Sequence, residues 1–141
     1  MTREPIMSAL FAKLAALPGV VTASRILRHY TEMRPADQPA VFLSPRSQTA
    51  ERSRGLPTKW TMDVSVYVYV KRQGADVIPD TAMNALLDAI ELALAPAPGV
   101  EVQSLGGLVD HCWIEGAIET DEGVLGDQAI SIIPLRLLIT T

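Results

Sequence analysis

The sequence predicts an α+β fold in which a mostly antiparallel β-sheet carries two α-helices packed on one face. Three observations predict it: two apolar stripes at helical spacing, one strongly alternating strand, and two apolar segments separated by a turn rich in Asp and Gly. The chain has 141 residues, which is the length of one domain. Residues 1–141 are therefore expected to share a single core.

The first helix is predicted from Thr2, as N-cap, to Leu17, before the breaker Pro18-Gly19. Its apolar residues recur at helical spacing, whereas the opposite side is rich in alanine. We expect the apolar stripe to lie on the sheet. The stripe consists of Ile6, Met7, Leu10, Phe11, Leu14 and Leu17.

Two strands are expected next, at residues 20–27 and 40–43, where apolar and β-branched residues prevail. The segments between and after them are polar and carry Pro, Ser or Gly, which favour loops. Residues 44–59 are therefore predicted to form a long loop between strands two and three. A loop of this length in a compact domain is usually functional or becomes ordered on binding.

The clearest strand spans residues 61–70, where every second residue is apolar. The apolar side, from Met62 to Val70, is predicted to face the core. The other side changes from polar at Asp63 to aromatic at Tyr67 and Tyr69. This change suits a sheet face that is open at one end and covered at the other, either by a neighbouring subunit or by a loop of the same chain.

A turn at residues 71–76 precedes the second helix, which is predicted from Asp80 to Ala95 and ends before Pro96. Leu92 lies outside the apolar stripe of this helix. The stripe consists of Met83, Leu86, Leu87, Ile90 and Leu94.

A hairpin is predicted from strands at residues 108–120 and 129–140, joined by a turn at residues 121–127. In the last strand, large apolar residues occupy even-numbered positions up to Ile132 and odd-numbered positions from Ile133 to Ile139. The change lies beside Pro134, which has no N–H to donate. A β-bulge or a sheet-edge position there would resolve the conflict.

No catalytic, metal or cofactor site is predicted. His29 and His111 are far apart in sequence, and His111 and Cys112 are neighbours that point to opposite faces of a strand. Cys112 is expected to be a small core residue. Residues 105–107 lack the lysine of a P-loop, and a turn or bulge explains them. The acidic residues of the final hairpin do not have the spacing of a calcium loop, and a solvated face accounts for them.

Composition limits the partners further. The chain has no run of about 18 apolar residues, so no membrane partner is expected. It is acidic overall and has few aromatic residues among the loop cations, so sequence-specific nucleic-acid binding is not expected.

The single cysteine fits synthesis in a reducing cytoplasm. Because 48% of residues are hydrophobic and only 20% charged, part of the apolar surface is expected at subunit contacts.

Six segments in order carry a family resemblance: R-x-P-I-x-x-A-L at residues 3–10, PAVFL at 39–43, WTMDVSVYVYV at 60–70, PDTAMNALLDAIELAL at 79–94, LGG at 105–107, and EGAIETDEGVLGDQAISIIPLRLLI at 115–139. With these, the chain resembles the tail terminator or minor tail proteins of long-tailed phages and prophages across residues 3–140. The resemblance implies a structural protein of the virion tail, assembled in the bacterial cytoplasm. It also implies a hexameric ring that stops polymerisation of the tail tube protein and faces the head–tail connector protein. It transfers no catalytic residues.

The charge distribution suits such a ring. Residues 25–59 carry seven Arg or Lys against three acids, whereas residues 60–141 carry three against twelve. A ring needs one surface to meet a different surface of the next copy, so the loop cations are predicted to meet the acidic hairpin of a neighbour or of a tail partner. Differently solvated faces would also explain the split. The candidate interface residues are Arg46, Arg52, Arg54, Lys59, Glu119, Asp121 and Glu122.

Two other functions compete with this interpretation. A head–tail connector or stopper subunit is also a small acidic α+β ring protein. A small-molecule-binding domain of ferredoxin-like shape is the alternative from another class. Its pocket would use Tyr67 and Tyr69 together with His111 and Trp113.

Overall fold

The computed structural model describes residues 1–72, 80–123 and 127–141. Most of the turn predicted at residues 71–76, and the centre of the one predicted at 121–127, lie outside the described residues. The elements in chain order are helix α1 (Arg3–Ala15), strand β1 (Thr22–Ser24), two single 3-10 turns (Tyr30–Glu32 and Pro35–Asp37), strands β2 (Ala40–Glu51) and β3 (Lys59–Lys71), helix α2 (Asp80–Leu94), and strands β4 (His111–Ile114), β5 (Glu119–Glu122) and β6 (Gln128–Thr140).

The strands form one six-stranded sheet in the order β1-β2-β3-β6-β4, and β5 also pairs with β6. The pairing of β1 with β2 is parallel, and the other pairings of the described strands are antiparallel. The predicted α+β fold with a mostly antiparallel sheet is therefore confirmed.

Both helices pack on the same face of the sheet, as the apolar stripes predicted. Leu10 and Leu14 of α1, Ile90 of α2 and Val66 of β3 belong to one fully buried cluster. Removing a side chain of this kind from water stabilises the fold by roughly 1.5–3 kcal/mol. The helix residues of this cluster are Ile6, Met7, Leu10 and Leu14 of α1 and Met83, Leu86, Ile90 and Leu94 of α2.

The ends of α1 differ slightly from the prediction. Thr2 occupies the N-cap position, but its side chain makes no capping hydrogen bond. The helix ends at Ala15, and Leu17 donates to the carbonyl of Leu14 in a tighter turn. A residue that precedes proline avoids the helical conformation, so the regular helix stops before Pro18. Leu17 is buried nevertheless.

The first strand is shorter than predicted. β1 covers residues 22–24 because it pairs only with the start of β2, where Thr22 lies opposite Ala40 and Ser24 opposite Phe42. The backbone N–H of Ile26 then donates to the Ser24 hydroxyl, 3.0 Å away, where the strand has ended.

The long loop predicted at residues 44–59 is wrong in extent. β2 continues to Glu51 across an irregularity at Arg46, and the connection to β3 is the segment 52–58. The backbone of residues 47–51 pairs with the first residues of β3, so these residues are strand despite their composition. Their side chains are exposed, because β1 pairs only with residues 40–42 and the rest of β2 lies at the open edge of the described sheet. An exposed strand has no alternating pattern, and its polar sequence therefore resembled a loop.

The irregularity predicted in the last strand is resolved differently from the prediction. β6 pairs with β3 without interruption and lies inside the sheet, so neither a bulge in β6 nor an edge position exists at Pro134. Instead, the strand predicted over residues 108–120 is divided into β4 and β5. Pro134 lies opposite this gap, where its carbonyl accepts a hydrogen bond from Glu115 and no N–H is needed from proline.

The core assignment predicts a clear difference between two leucines. Leu10 is fully buried, whereas Leu92 of α2 is 78% exposed. Leu10→Ala should lower the free energy of unfolding by about 2–5 kcal/mol, because it leaves a cavity between α1 and the sheet. Leu92→Ala, the matched control, should change it by less than about 0.5 kcal/mol. Urea unfolding measures both, and equal stabilities would contradict the packing described here.

Candidate interaction surface on the outer face of the sheet

The face of the sheet opposite the helices is called the outer face. Alternation along β3 brings Asp63, Ser65, Tyr67 and Tyr69 to this face, because Val64, Val66 and Val68 point to the core. Pairing places residues of β6 beside them, so that Arg136 lies next to Asp63 and Ile132 next to Tyr67.

One end of the outer face is covered by the segment of residues 28–38. The Tyr69 hydroxyl donates to the carbonyl of Arg28 at 2.9 Å. The buried Gln38 amide donates to Gln128 at 2.8 Å, and the Gln128 amide donates to the carbonyl of Tyr30 at 2.9 Å. The cover at the aromatic end is thus a segment of the same chain, one of the two possibilities expected from the sequence. It encloses a second apolar cluster of Met33, Ala40, Phe42, Tyr69 and Ile130.

This cover explains why β6 carries apolar residues on both faces of the sheet. Ile133 and Leu135 face the helices, whereas Ile130 is buried on the outer face beneath the covering segment. Apolar side chains on both faces are expected wherever a strand is covered on both sides.

Beside the cover lies an open depression of about 350 Å³. Its lining is mainly apolar, and Tyr67 and Ile132 on its floor are only half-buried. We call it the apolar depression. Its lining consists of Leu27, Arg28, His29, Tyr30, Tyr67, Tyr69, Ile130 and Ile132.

A second depression of about 370 Å³ adjoins the first, since Ile132 lines both. We call it the polar depression. Its lining includes Arg46, Ser47, Asp63, Glu115, Glu119 and Arg136.

Arg136 organises the polar depression. Its guanidinium donates to Asp63 at 2.9 Å and forms an ion pair with Glu115 at 2.6 Å. Ser47 donates to the other oxygen of Asp63 at 3.1 Å. The hydrogen bond to Asp63 is the main cause that raises the pKa of Arg136 above its ordinary value, with Glu115 adding to it. The network fixes β2, β3 and β6 to one another across the outer face.

The structure brings two of the predicted interface residues together and separates the others. Arg46 and Glu119 line the same polar depression. Arg52 and Arg54 lie in the connection between β2 and β3, which we call the hairpin tip (residues 52–58). The fourth cation, Lys59, is the first residue of β3 and is exposed.

The acidic strand β5 lies toward the opposite end of the sheet. Glu119 pairs with Ile132, and Glu122 pairs with Ala129, which are β6 residues near the far end of β3. Asp121 lies between them on the same strand and is partly buried. At about 3.3 Å per residue, the hairpin tip and β5 are separated by roughly 30 Å. The tip and β5 of one chain therefore cannot contact each other.

The other cations of the basic segment are paired locally. Arg25 forms an ion pair with Glu4, and Arg28 and Arg34 both reach Asp37. Hydrogen bonds from Arg25 and Arg34 lower the pKa values of Glu4 and Asp37, respectively. Within residues 1–72, 80–123 and 127–141, no ion pair involves the four predicted interface cations. Among the cations of residues 25–59, those without an ion pair in the described part of the chain thus all lie on the β2–β3 hairpin.

The alternative ligand pocket is not assembled as predicted. His111 and Trp113 stack with ring centroids 4.7 Å apart, but they pair with β6 at Leu138 and Arg136. Tyr67 lies beside Ile132, several residues along the strand, and its depression is lined by the covering segment instead. The covering segment was predicted as a loop, and its sequence does not indicate which strand residues it would reach.

The part of the chain that the structure describes has no cluster of three metal-ligating side chains. None of its helices is long and apolar enough to cross a membrane. Cys112 is buried beneath the helices, and this burial raises the pKa of its thiol to about 12. It is a core residue, as expected from the sequence.

Comparisons with known proteins give a similarity in fold. No family model matches the sequence, and no curated protein matches it. In fold, the chain is similar to a chain of the solved structure described as the virion of a native gene transfer agent (GTA) particle, with a TM-score of 0.64 and 15% identity. The match covers 99% of this chain and 100% of that chain. At this identity the similarity concerns the fold.

The buried thiol gives a test of the core beneath the outer face. Because the thiolate is the nucleophile, Cys112 should not react with iodoacetamide at pH 8 in the folded protein and should react fully in urea. A Leu92→Cys variant, with a second and exposed thiol, should take up one label at once. Since folding raises the thiol pKa, the stabilisation by the neutral thiol should be complete below about pH 8.5 and decline as the pH approaches 12. Rapid native labelling of Cys112 would contradict its burial.

Proposed function

We propose that this chain is a non-enzymatic structural protein of a phage-like virion that acts as a tail terminator. In this role, copies form a ring that caps the tail tube, ends tail polymerisation and provides the surface for head–tail joining. The observation that carries the proposal is the similarity in fold, over nearly the whole of both chains, to a chain of the gene transfer agent virion. The ordered segments of the sequence that resemble tail terminator proteins support the same role independently.

The positions of the charges support a ring. A closed ring is built from one contact in which two different surfaces of neighbouring copies meet. The cations of the hairpin tip and the acids of β5 lie toward opposite ends of one sheet, so a head-to-tail arrangement would bring them together. Two copies related by a two-fold axis could also pair the two ends reciprocally, and the mass of the assembly distinguishes the two arrangements.

The charges alone would give only weak association. Exposed ion pairs are screened over about 8 Å at physiological salt and contribute little to affinity. Their proposed role is to set the orientation of neighbouring copies and the rate of encounter. The affinity of a stable ring must then come from apolar contact.

The proposal assigns the remaining surfaces to other tail proteins. The tail tube protein would contact one side of the ring, and the head–tail connector protein would contact the other. As an alternative to its contact with a neighbouring copy, the exposed hairpin tip would dock on the tail tube protein. A gain of hydrogen-exchange protection at residues 52–58 on addition of tail tube would support contact there, whereas equal protection with and without tube would contradict it.

A ligand-binding function is the second candidate, and the apolar depression of about 350 Å³ is the observation that favours it. A ligand that binds only the folded state raises the apparent stability with its concentration. Saturable thermal stabilisation by a small aromatic compound would favour this candidate. Capture of the portal or adaptor protein, and not of tail tube protein, would favour a connector or stopper subunit.

The proposed ring predicts the mass of the assembled protein. Light scattering of the purified protein across a concentration series should give a stable species near six times the chain mass of 15.2 kDa. Raising the salt concentration should weaken it, because the proposed contact includes exposed charges. A strict monomer both alone and in the presence of tail tube would contradict the ring.

The proposed contact between the hairpin-tip cations and the acids of β5 predicts the effect of reversing these charges. Reversing Arg52 and Arg54 to Glu should weaken assembly, since like charges would then meet at the contact. Adding Glu119→Arg and Glu122→Arg to the same chain should restore it. Lys13→Glu, which reverses a cation on α1 at the opposite face of the sheet, is the control and should assemble like the wild type. Unchanged assembly of the double reversal would contradict this pairing.

A further inference from the structure

The hairpin tip presents one exposed leucine on a firm turn. Leu56 is 66% exposed, and its backbone N–H donates to the carbonyl of Ser53 at 3.1 Å. Gly55, between them, has a φ of +78°, a left-handed conformation that glycine adopts without strain. Pro57 follows Leu56 and limits the backbone further. The turn therefore holds the side chain at the end of the sheet, in water.

The base of the tip is also fixed. Thr58 and Thr141 exchange two backbone hydrogen bonds of 2.9 Å, which join the start of β3 to the end of the chain. Binding a preformed segment costs less conformational entropy than ordering a flexible one. The tip is therefore suited to insert into a complementary surface without rearrangement.

The apolar depression is a complementary surface. Leu27 on its rim is 41% exposed, and Tyr67 and Ile132 on its floor are only half-buried. Its volume of about 350 Å³ leaves room for an aliphatic side chain. Glu119 pairs directly with Ile132 of the lining, so its carboxylate lies near the edge of the depression. Arg28 also belongs to the lining, but its charge is paired with Asp37 at 3.6 Å.

Charge identifies the side chain that fits this surface. Leu56 lies between Arg52, Arg54 and Lys59 in the sequence, so cations would approach together with it. Leu92 is more exposed, at 78%, but Asp88 and Glu91 lie beside it on α2 and would be repelled by Glu119.

We propose that Leu56 of one copy inserts into the apolar depression of a second copy, with Arg54 beside Glu119 of that copy. The inference rests on the proposed head-to-tail arrangement and names its apolar contact. The contact forms between copies because roughly 30 Å separates the tip from β5 within one chain. It joins two different surfaces, as a ring requires.

The experiment is cross-linking between differently tagged, co-expressed chains. One chain carries Leu56→Cys and the other Leu27→Cys, and a short bis-maleimide is added. The native Cys112 is buried and should not take part. A cross-link between the two tags is expected. Pairing Leu92→Cys with Leu27→Cys is the matched control, and no cross-link between tags is expected there.

A second measurement tests the contribution of the side chain. Leu56→Asp should weaken association by roughly 10- to 100-fold, the effect of leaving one large apolar side chain in water. Leu92→Asp should associate like the wild type. Both positions are exposed, so unchanged melting temperatures of the dissociated chains should show that neither substitution disturbs folding.

The outcomes separate this contact from the ring itself. A particle of six chains that gives no link between the thiols introduced at positions 56 and 27, or that tolerates Leu56→Asp, would overturn the contact and leave the ring standing. The expected link in a species of only two chains would support the contact and contradict the ring. A monomer without any link would contradict both, and a link from the tip only to tail tube protein would overturn the contact.

Discussion

The pairing of β3 with β6 is the interaction on which the other elements depend. It runs without a bulge from Lys59 opposite Thr140 to Lys71 opposite Gln128. β2 attaches to one side of this pair, and β4 and β5 attach to the other. Because side chains alternate along both strands, the same pair supplies the apolar face beneath the helices and the outer face opposite them. A shift of register by one residue would exchange the two faces.

The pairing of β3 with β6 also determines where the candidate surface lies. β2 continues beyond its buried residues, so the outer part of the β2–β3 hairpin carries exposed side chains. At the other end, the covering segment and β5 border the apolar depression. The hairpin tip and the depression are consequently at opposite ends of one stiff sheet, which is the arrangement that a head-to-tail contact between copies requires.

The candidate surface could be predicted only in part. The charge split along the sequence indicated Arg52, Arg54 and the acidic hairpin, and their exposure agrees with a surface role. The network of Arg136 with Asp63 and Glu115 was missed. A signal for it exists in the sequence, because Arg136 is the lone charge in the last strand and Asp63 the lone acid of the third. The apolar depression had no such signal, since it depends on how residues 28–38 fold over the sheet.

The sequence by itself determined the helices, the central strands and the face of each that is buried. These features follow from periodicities of 3.6 and 2.0 residues, which are local properties of the chain. Only the tertiary structure decided that residues 44–51 are strand and that the strand before the last turn is divided opposite Pro134. It also decided that Arg46 lies near Glu119, whereas Arg52 and Arg54 lie far from it. The physical reason is that each of these features depends on a backbone partner distant in sequence, and a polar segment carries no pattern that identifies its partner.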